Sequence, residues 1–366
     1  MTTTYRYLFA DLLTNEIVAE LPITGVSFTQ QLNQAGTFQA HLLITGINTA
    51  EFNVDAATTP TRNAIYVDRN GTLVWGGIIW GRTYNSDEQT ISLTAREFES
   101  YFERRRITTT QDFNNTDQLV IARTLIDDAQ TIPEGDIGVI TGAETSGVLV
   151  DRVYYDYELK TVYGAIQDLS RQDDGFDFNI KVEYDPITNE PLKTLVLGYP
   201  RTGHVDTGVG DLSTPVFFFP AGNIVTYEYP EDGSIAANTV YALGAGSNEG
   251  KLTSTAQDAT KLAAGWPLLE DQANYSDVTD QTVLDELAIG QVLALSEPPP
   301  IIKIVVPAYV EPVFGTYEIG DDARLIIQDP RFPNGLDEVY RIVGLNVQPG
   351  EDGPERVTIT LTITTN

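Results

Sequence analysis

Residues 63–107 read NAIYVDRNGTLVWGGIIWGRTYNSDEQTISLTAREFESYFERRRI, and this stretch decides the fold. The apolar run 64–67 predicts a β-strand. Asn70-Gly71 after it predicts a tight hairpin turn, because this dipeptide readily adopts positive φ angles. Residues 72–84 predict a long partner strand. Gly76-Gly77 inside that strand indicates a bulge or a sharp bend, so the stretch begins with a strongly bent hairpin.

The second half of the stretch predicts a third strand and a helix. Residues 90–95 alternate between polar and apolar side chains, the period of two that is typical of a half-buried strand. Residues 96–105 then carry Phe98, Tyr101 and Phe102 at a spacing that places them on one face of a helix. We therefore predict a small, bent β-barrel with a helix leaving its last strand.

Working outward, the rest of the chain predicts further β-structure around three helices. The spacing of apolar residues predicts helices over 118–129, 161–171 and 281–296. Residues 340–365, YRIVGLNVQPGEDGPERVTITLTITT, show the clearest alternation in the chain and predict a long closing hairpin. The predicted fold class is mainly β with an α+β insertion.

Composition excludes several kinds of chemistry. The 366 residues include 52 acidic and 22 basic side chains, a net charge of -30, and no cysteine. Disulfides, thiolate metal sites and cysteine nucleophiles are therefore excluded. Two histidines, His41 and His204, leave little material for a transition-metal site or a histidine general base. We expect no catalytic residue, no cofactor and no metal, and hence a protein that is not an enzyme.

The N-terminus and the hydropathy pattern predict a protein without membrane insertion. The opening residues, MTTTYRYLFADLL, lack the basic segment and apolar run of a signal peptide. No window approaches the ~20 apolar residues of a membrane span. We expect no Sec-type export and no membrane-spanning segment.

Two segments of the sequence resemble the tail hub proteins of long-tailed phages, the gp27-like or tail-associated baseplate hubs. GTLVWGGIIWGRTYN (71–85) with ISLTAREFESYFERR (91–105) resembles their first barrel. NTVYALGAGSNEGKL (238–252) is similar to the strand and Gly-rich loop of their second barrel. The resemblance implies three parts: residues 1–107 as a first hub β-barrel, 108–213 as an α+β insertion domain, and 214–366 as a second hub β-barrel that contains helix 281–296.

The resemblance also implies a function, which is structural. It implies a minor tail protein at the tail tip of a siphovirus virion, made in the host cytoplasm. As a homotrimer, its two barrels per chain would form a pseudo-sixfold ring that adapts the hexameric tail tube to a three-fold tip. The implied partners are the distal tail protein or tail tube, tip and fibre minor tail proteins, and the tape-measure protein.

The distribution of charge fits a channel that DNA passes through without binding. Between residues 202 and 302 the basic residues are Lys251 and Lys261, against fourteen acids. Such a surface repels phosphates, whereas stable nucleic-acid binding needs clustered Lys and Arg. The alternative explanation is that the acidity keeps a β-rich protein soluble.

Two other functions remain open from the sequence. The first is a distal tail protein, a hexameric ring with one tube-like barrel and a second domain. The second is a secreted carbohydrate-binding β-protein, which needs an exposed aromatic platform. Trp75, Trp80 and Trp266 are the tryptophans that could form it. Trp75 and Trp80 are five residues apart on one predicted strand and therefore face opposite sides, unless Gly76-Gly77 forms a bulge.

Three short motifs are candidate sites. Arg104, Arg105 and Arg106 form the one basic cluster, which is either an intersubunit contact or a solvated helix end. Residues 244–251 suggest a phosphate loop, but an alanine replaces its first glycine and a leucine follows its lysine. Residues 173–177, DDGFD, offer oxygen ligands for calcium but lack the spacing of an EF-hand and predict a turn.

Overall fold

A computed structural model describes residues 3–44, 53–172, 174–208, 210–276, 278–296, 300–350 and 353–363. Over these residues the protein is mainly β, as the sequence predicts, and it contains 21 strands and six α-helices. Clustering of the chain by internal contacts gives two compact units, 1–227 with 303–366, and 228–302. The predicted boundaries at residues 107 and 213 stay a prediction.

The first region alternates hairpins with two short helices. Its elements are β1 (Tyr5–Asp11), β2 (Ile17–Glu20), β3 (Thr24–Gln31), β4 (Thr37–Leu43), α1 (Val54–Ala57), β5 (Asn63–Arg69), β6 (Thr72–Asn85), β7 (Thr90–Glu97) and α2 (Glu99–Phe102). The bounds of β5, β6 and β7 agree with the strands predicted from the opening stretch. Helix α2 is shorter than predicted, because strand β7 continues to Glu97 through its pairing with β6.

The middle region contains two helices and a hairpin. Its elements are β8 (Gln111–Asp117), α3 (Gln118–Thr131), β9 (Val139–Ile140), β10 (Leu149–Tyr154), α4 (Val162–Ser170), β11 (Asp177–Tyr184) and β12 (Pro191–Gly198). Both helices begin at side-chain caps. Asp117 accepts a hydrogen bond from the Leu119 amide at 2.9 Å, and Thr161 accepts one from the Gly164 amide at 3.0 Å. Such caps satisfy amides that have no partner within the helix.

The last region returns to β-structure. Its elements are β13 (Val216–Phe219), β14 (Thr226–Glu228), β15 (Thr239–Leu243), β16 (Thr253–Gln257), α5 (Ala259–Ala263), β17 (Glu270–Asn274), α6 (Gln281–Ser296), β18 (Ile302–Pro307), β19 (Asp322–Ile327), β20 (Leu336–Gln348) and β21 (Arg356–Ile363). Helix α6 has the predicted bounds. Strands β20 and β21 form the predicted closing hairpin.

One sheet of 13 strands joins the first and last regions. Its order is β14-β18-β21-β20-β3-β4-β7-β6-β5-β1-β2, with β13 and β19 branching from β20. The junction is the antiparallel pair β3–β20, in which Phe28 lies opposite Val347 and Gln31 lies opposite Gly344. Strand β20 is 13 residues long, which lets it pair with β3, β19 and β21. The two sets of strands are therefore continuous through backbone hydrogen bonds.

Trp75 anchors the core of the first region. Its side chain is fully buried and packs against the rings of Phe28 and Phe38, whose centroids lie 6.4 and 5.2 Å away. Its indole N–H donates to the Thr29 carbonyl at 3.0 Å, so the one polar atom of the ring is satisfied. A Cβ at Gly77 of β6 would come within 2.2 Å of the Arg96 carbonyl oxygen. The glycine therefore allows a close backbone approach between β6 and β7, while the register shifts of β6 against its two neighbours lie at Val67/Asp68 and Ile79/Gly81.

A second apolar cluster connects the first region to the middle region. Tyr66 and Phe98 of the first region share it with Leu119, Ile166 and Phe178 of the middle region. All five side chains are at most 3% exposed. Buried apolar surface contributes about 25 cal/mol per Å², so these contacts stabilise the pairing of the two regions.

The unit formed by residues 228–302 has its own small core. A three-stranded sheet, in the order β16-β15-β17, packs against α6. Val240 and Ala242 of β15 contact Leu284, Ala288 and Val292 of α6. These three helix residues recur at intervals of four, which places them on one face.

Candidate functional site

Two members of the arginine cluster bond backbone carbonyls of the same chain. Arg105 lies over the ring of Tyr101, 5.4 Å from its centroid, and donates to the Tyr101 hydroxyl at 2.6 Å and the Gly135 carbonyl at 3.1 Å. Arg106 donates to the Leu159 carbonyl at 3.3 Å. These two side chains therefore hold the end of α2 against the middle region of the same chain.

Arg106 is also exposed, whereas Arg104 is the exposed member whose side chain makes no bond to the described residues of the middle region. Its side chain is exposed and contacts no carboxylate in the described part of the chain. The backbone amide of Arg104 donates to the Tyr101 carbonyl at 2.9 Å, which fixes the direction of the residue. Of the three arginines predicted as an intersubunit contact, Arg104 is the one free to form it. That role stays a prediction.

A buried ion pair joins the middle region to β20. Asp177 is 5% exposed, and one of its carboxylate oxygens bonds the Arg341 guanidinium. The same oxygen accepts the Thr202 amide at 2.8 Å, and the other accepts the Asn33 side-chain amide at 3.1 Å. Arg341 also donates to the carbonyls of Thr202 and Gly320, both at 3.1 Å. Removing either Asp177 or Arg341 would leave the other as a buried charge without its ionic partner.

A second buried pair connects β5 to the segment before β21. Arg69 bonds both oxygens of the Glu355 carboxylate at 2.8 Å, the bidentate geometry that a guanidinium favours. The Tyr5 hydroxyl donates to the same carboxylate, and Arg69 lies 5.2 Å from the centroid of the Phe314 ring. Burial and the neighbouring Glu355 raise the pKa of Tyr5 well above its ordinary value. Tyr5 therefore acts as a neutral hydrogen-bond donor.

Two buried glutamates line a cavity of about 300 Å³ next to Trp75. Glu97 accepts the Gly36 amide at 2.6 Å, and Glu99 accepts the Ile180 amide. The second carboxylate oxygen of Glu99 and the Tyr317 hydroxyl have no hydrogen-bond partner among the described residues. Burial raises the pKa of Glu99 to about 7 and raises that of Glu97 well above its ordinary value, and the charge of Glu99 adds to the Glu97 shift. The pair therefore carries protons at acidic pH.

Replacing Glu99 with Gln should make the protein less sensitive to pH. The unfolded carboxyl group titrates near 4.5 and the folded one near 7, so the folded wild type binds more protons between these values and loses stability as the pH rises through them. At pH 8 we expect Glu99→Gln to be more stable than wild type by about 2 kcal/mol. This gain is smaller than the free energy that corresponds to the full shift of the Glu99 pKa, because the NH₂ group of the glutamine also needs a hydrogen-bond partner. Urea unfolding at pH 5 and pH 8 measures the difference.

The matched control for this pH effect is Glu318→Gln, at the rim of the same cavity. Glu318 is exposed and bonds Lys181 at 2.8 Å. Replacing Glu318 should change the difference in unfolding free energy between pH 5 and pH 8 by less than about 0.5 kcal/mol. Equal pH dependence in Glu99→Gln and wild type would contradict a raised pKa at Glu99.

One lysine is buried without a hydrogen-bond partner. Lys193 on β12 is 1% exposed, and its ammonium nitrogen has no acceptor among the described residues. The nitrogen lies 5.0 Å from the centroid of the Phe98 ring. Burial lowers the pKa of Lys193 to about 8, partly offset by the charge of Asp136. The folded state therefore carries a poorly solvated cation at neutral pH.

The remaining sequence motifs form turns. In the phosphate-loop-like segment, Gly244 donates to the Leu252 carbonyl at 2.9 Å and Ala245 donates to the Val278 carbonyl at 2.8 Å. After Lys251 the chain enters strand β16, so no helix N-terminus is presented to a phosphate. In the calcium-like turn, Asp173 lies outside the described residues and Asp177 binds Arg341.

The described residues offer neither a metal-ion cluster nor a helical membrane span. They contain no group of three or more His, Cys, Asp or Glu side chains placed to hold a metal ion. Among the helices described, none is both long enough and apolar enough to cross a lipid bilayer.

The tryptophans do not form a carbohydrate platform. Trp75 is fully buried, and the Trp80 indole N–H bonds the Ser100 hydroxyl at 2.8 Å in a partly buried position. Trp266 is 57% exposed, and the Lys261 ammonium lies 4.9 Å from its ring centroid. Trp75 and Trp80 thus lie inside the protein, which argues against the carbohydrate-binding alternative.

The large sheet ends in two open strands. Strand β2 forms one end and β14 the other, and neither has a second neighbour among the described strands. Ile17 and Val18 of β2 are 40% and 43% exposed. Edge strands of this kind have unpaired backbone groups and readily pair with another chain. The ends of the sheet are therefore candidate contacts between copies.

Comparison with known proteins identifies the fold. At the level of sequence, neither a protein-family model nor a curated protein matches this chain. Among solved structures, the tail protein from Neisseria meningitidis MC58 is 14% identical and matches 97% of this chain and 96% of its own length with a TM-score of 0.62. The 43 kDa tail protein of prophage MuSo2 from Shewanella oneidensis is 14% identical, with 98% of both chains covered and a TM-score of 0.62.

A third solved structure agrees with the first two. Prophage tail protein gp18 from Listeria monocytogenes EGD-e is 12% identical and matches 97% of this chain and 94% of its own length, with a TM-score of 0.51. The likeness extends over nearly the whole chain in all three comparisons. The protein therefore has the fold of phage tail proteins, as the sequence resemblance implies.

Proposed function

We propose that this chain is a structural protein of a phage tail tip, the baseplate hub, and that it works as a homotrimer. The observation that carries the proposal is the continuous 13-stranded sheet, in which strands from the first and last regions pair through β3 and β20. Each chain thus supplies two connected sets of strands. Three chains supply six sets, which matches the six-fold end of a tail tube while keeping three-fold symmetry below it.

The open ends of the sheet support assembly from copies of the same chain. Strand β2 of one copy would pair at the boundary with the next copy, covering Ile17 and Val18 and satisfying their backbone groups. The exposed Arg104 would pair with an acidic side chain of the neighbour. With 52 acids per chain against 22 basic residues, such acids are plentiful.

The proposed role is mechanical. The ring would join the distal tail protein or tail tube to tip and fibre proteins, and its channel would admit the tape-measure protein and then DNA. The net charge of -30 supports passage of DNA without binding, because a negatively charged wall repels phosphates. In this role the chain catalyses no reaction, and its place is the tail tip of a siphovirus virion assembled in the host cytoplasm.

The copy number tests the proposal against the distal-tail alternative. Native mass spectrometry of the purified protein should give three times the 40.2 kDa chain mass, whereas a distal tail ring gives six times. Val18→Lys should shift the population to monomers, because a lysine on an edge strand opposes pairing. The result should be the same at several protein concentrations above the dissociation constant.

The control variant is Ile187→Lys, which places the same charge at a 92% exposed position in the turn between β11 and β12. It should remain trimeric. A stable wild-type monomer or hexamer would contradict the proposal, as would a Val18→Lys protein that stays trimeric.

A further inference from the structure

Strand β16 is the edge of the three-stranded sheet in the 228–302 unit. Its pairing with β15 uses alternate residues: Gly244 donates to the Leu252 carbonyl at 2.9 Å, and Asp258 donates to the Asn238 carbonyl at 2.9 Å. In an antiparallel pair the residues between these positions direct their backbone groups away from the partner. Thr255 and Gln257 therefore direct their N–H and C=O groups outward.

An apolar ridge of α6 runs beside this edge. Ile289 and Leu293, one turn apart, are 52% and 67% exposed, whereas the neighbouring Ala288 and Val292 are buried against the sheet. The ridge and the edge strand enclose a groove of about 1030 Å³, lined by residues 253–260 on one side and by α6 on the other. The groove thus combines unpaired backbone groups with an exposed apolar stripe.

The charge of the groove is negative. Asp285 lines it one turn before Ile289 and accepts the Gln281 side-chain amide at 2.8 Å. Hydrogen bonds from Ser254 and Gln281 lower the pKa of Asp285, so it is ionised at neutral pH. Across residues 228–302 there are twelve acids against Lys251 and Lys261. A ligand with basic side chains therefore matches this unit.

We propose that the groove binds an extended segment of a partner protein, which adds a strand to β16. Its backbone would bond the outward groups of Thr255 and Gln257, and its alternate apolar side chains would cover Ile289 and Leu293. A lysine or arginine two positions from this apolar pair, on the same face of the strand, would face Asp285, because alternate side chains of a strand share a face. Strand addition to a sheet edge takes its affinity from such main-chain bonds and its specificity from pockets for alternate side chains. This inference is independent of the hub role.

The test uses a capped seven-residue peptide with lysine at its second position, valine at its fourth and sixth positions, and threonine elsewhere, so that the lysine and the two valines share one face of the strand. Titrated into the full-length protein, it should bind saturably with a dissociation constant of about 1 mM or tighter. Leu293→Ser should weaken binding about tenfold, because the apolar contact is lost. Val283→Ser is the matched control: Val283 is 45% exposed on the same helix but does not line the groove, and its replacement should leave binding unchanged.

Two further measurements test the main-chain bonds and the charge match separately. Amide hydrogen exchange of Thr255 and Gln257 should slow on peptide binding, since their N–H groups become bonded. The same peptide with glutamate in place of its lysine should not bind, because the glutamate would face Asp285. Absence of saturable binding, equal loss in Leu293→Ser and Val283→Ser, or unchanged exchange at both amides would each overturn the proposal.

Discussion

Replacing Asp177 with Ala should lower the free energy of unfolding by about 3–5 kcal/mol, the range measured when one partner of a buried ion pair is removed. The Arg341 guanidinium would stay in a site where its side chain is 15% exposed, without a carboxylate. The Thr202 amide and the Asn33 side chain would also lose their acceptor. Urea unfolding at pH 7 measures the change.

The control for this prediction is an exposed ion pair of the same type. Arg324 and Asp337 pair at 2.6 Å on neighbouring strands, with side chains 48% and 51% exposed. Asp337→Ala should cost about 0–1 kcal/mol, because solvent screens such pairs. The double variant Asp177→Ala with Arg341→Met should recover part of the loss, since it leaves no buried charge unpaired. Equal effects of Asp177→Ala and Asp337→Ala would show that burial does not govern the first pair.

Replacing Lys193 with Met should stabilise the protein by about 3 kcal/mol at pH 7. The change keeps the length of the side chain and removes the buried charge, and the lowering of the Lys193 pKa from 10.5 to about 8 corresponds to about that energy. The unfolded lysine binds more protons than the folded one between pH 8 and 10.5, so wild-type stability should rise over this range. The difference in stability between Lys193→Met and wild type should therefore disappear as the pH rises from 8 to 10.5. Urea unfolding at pH 7 and pH 10 measures both effects.

Lys181→Met on the adjacent strand serves as the comparison for Lys193. Its ammonium group is exposed and bonds Glu318 at 2.8 Å. The replacement should be neutral or slightly destabilising at both pH values. A Lys193→Met variant less stable than wild type at pH 7 would mean that the contact with Phe98 outweighs the desolvation of the ammonium group.

The strands and the longer helices were predictable because their signals are local. Alternation over 90–95 and the Asn70-Gly71 turn predicted the hairpins. The apolar spacing over 281–296, with the flanking caps and prolines, predicted where helix α6 begins and ends. The prediction of a helix over 96–105 was too long, because Glu97 pairs with Gly77 in the sheet and this distant partner outweighs local helix propensity.

The chemistry of the interior was not predictable, because its partners are distant in sequence. Arg341 and Asp177 are 164 residues apart, and no local pattern marks either of them as buried. Glu99 was predicted on an amphipathic helix, yet it faces the Ile180 amide 81 residues away. Arg105 and Arg106 likewise donate hydrogen bonds to backbone carbonyls of the middle region. The apolar spacing of α6 was visible in sequence, but the open edge of β16 beside it depends on strand order.

The pairing of β3 with β20 affects how the chain folds as it leaves the ribosome. Ser27 and Asn346, bonded side by side at 3.1 Å, are 319 residues apart, so β3 cannot pair with β20 until the ribosome has made residues 336–348. Contacts this distant slow folding, and the unpaired strand is meanwhile exposed to aggregation. Chains released before residue 336 should therefore accumulate as insoluble material, because they retain an open edge that the finished protein covers.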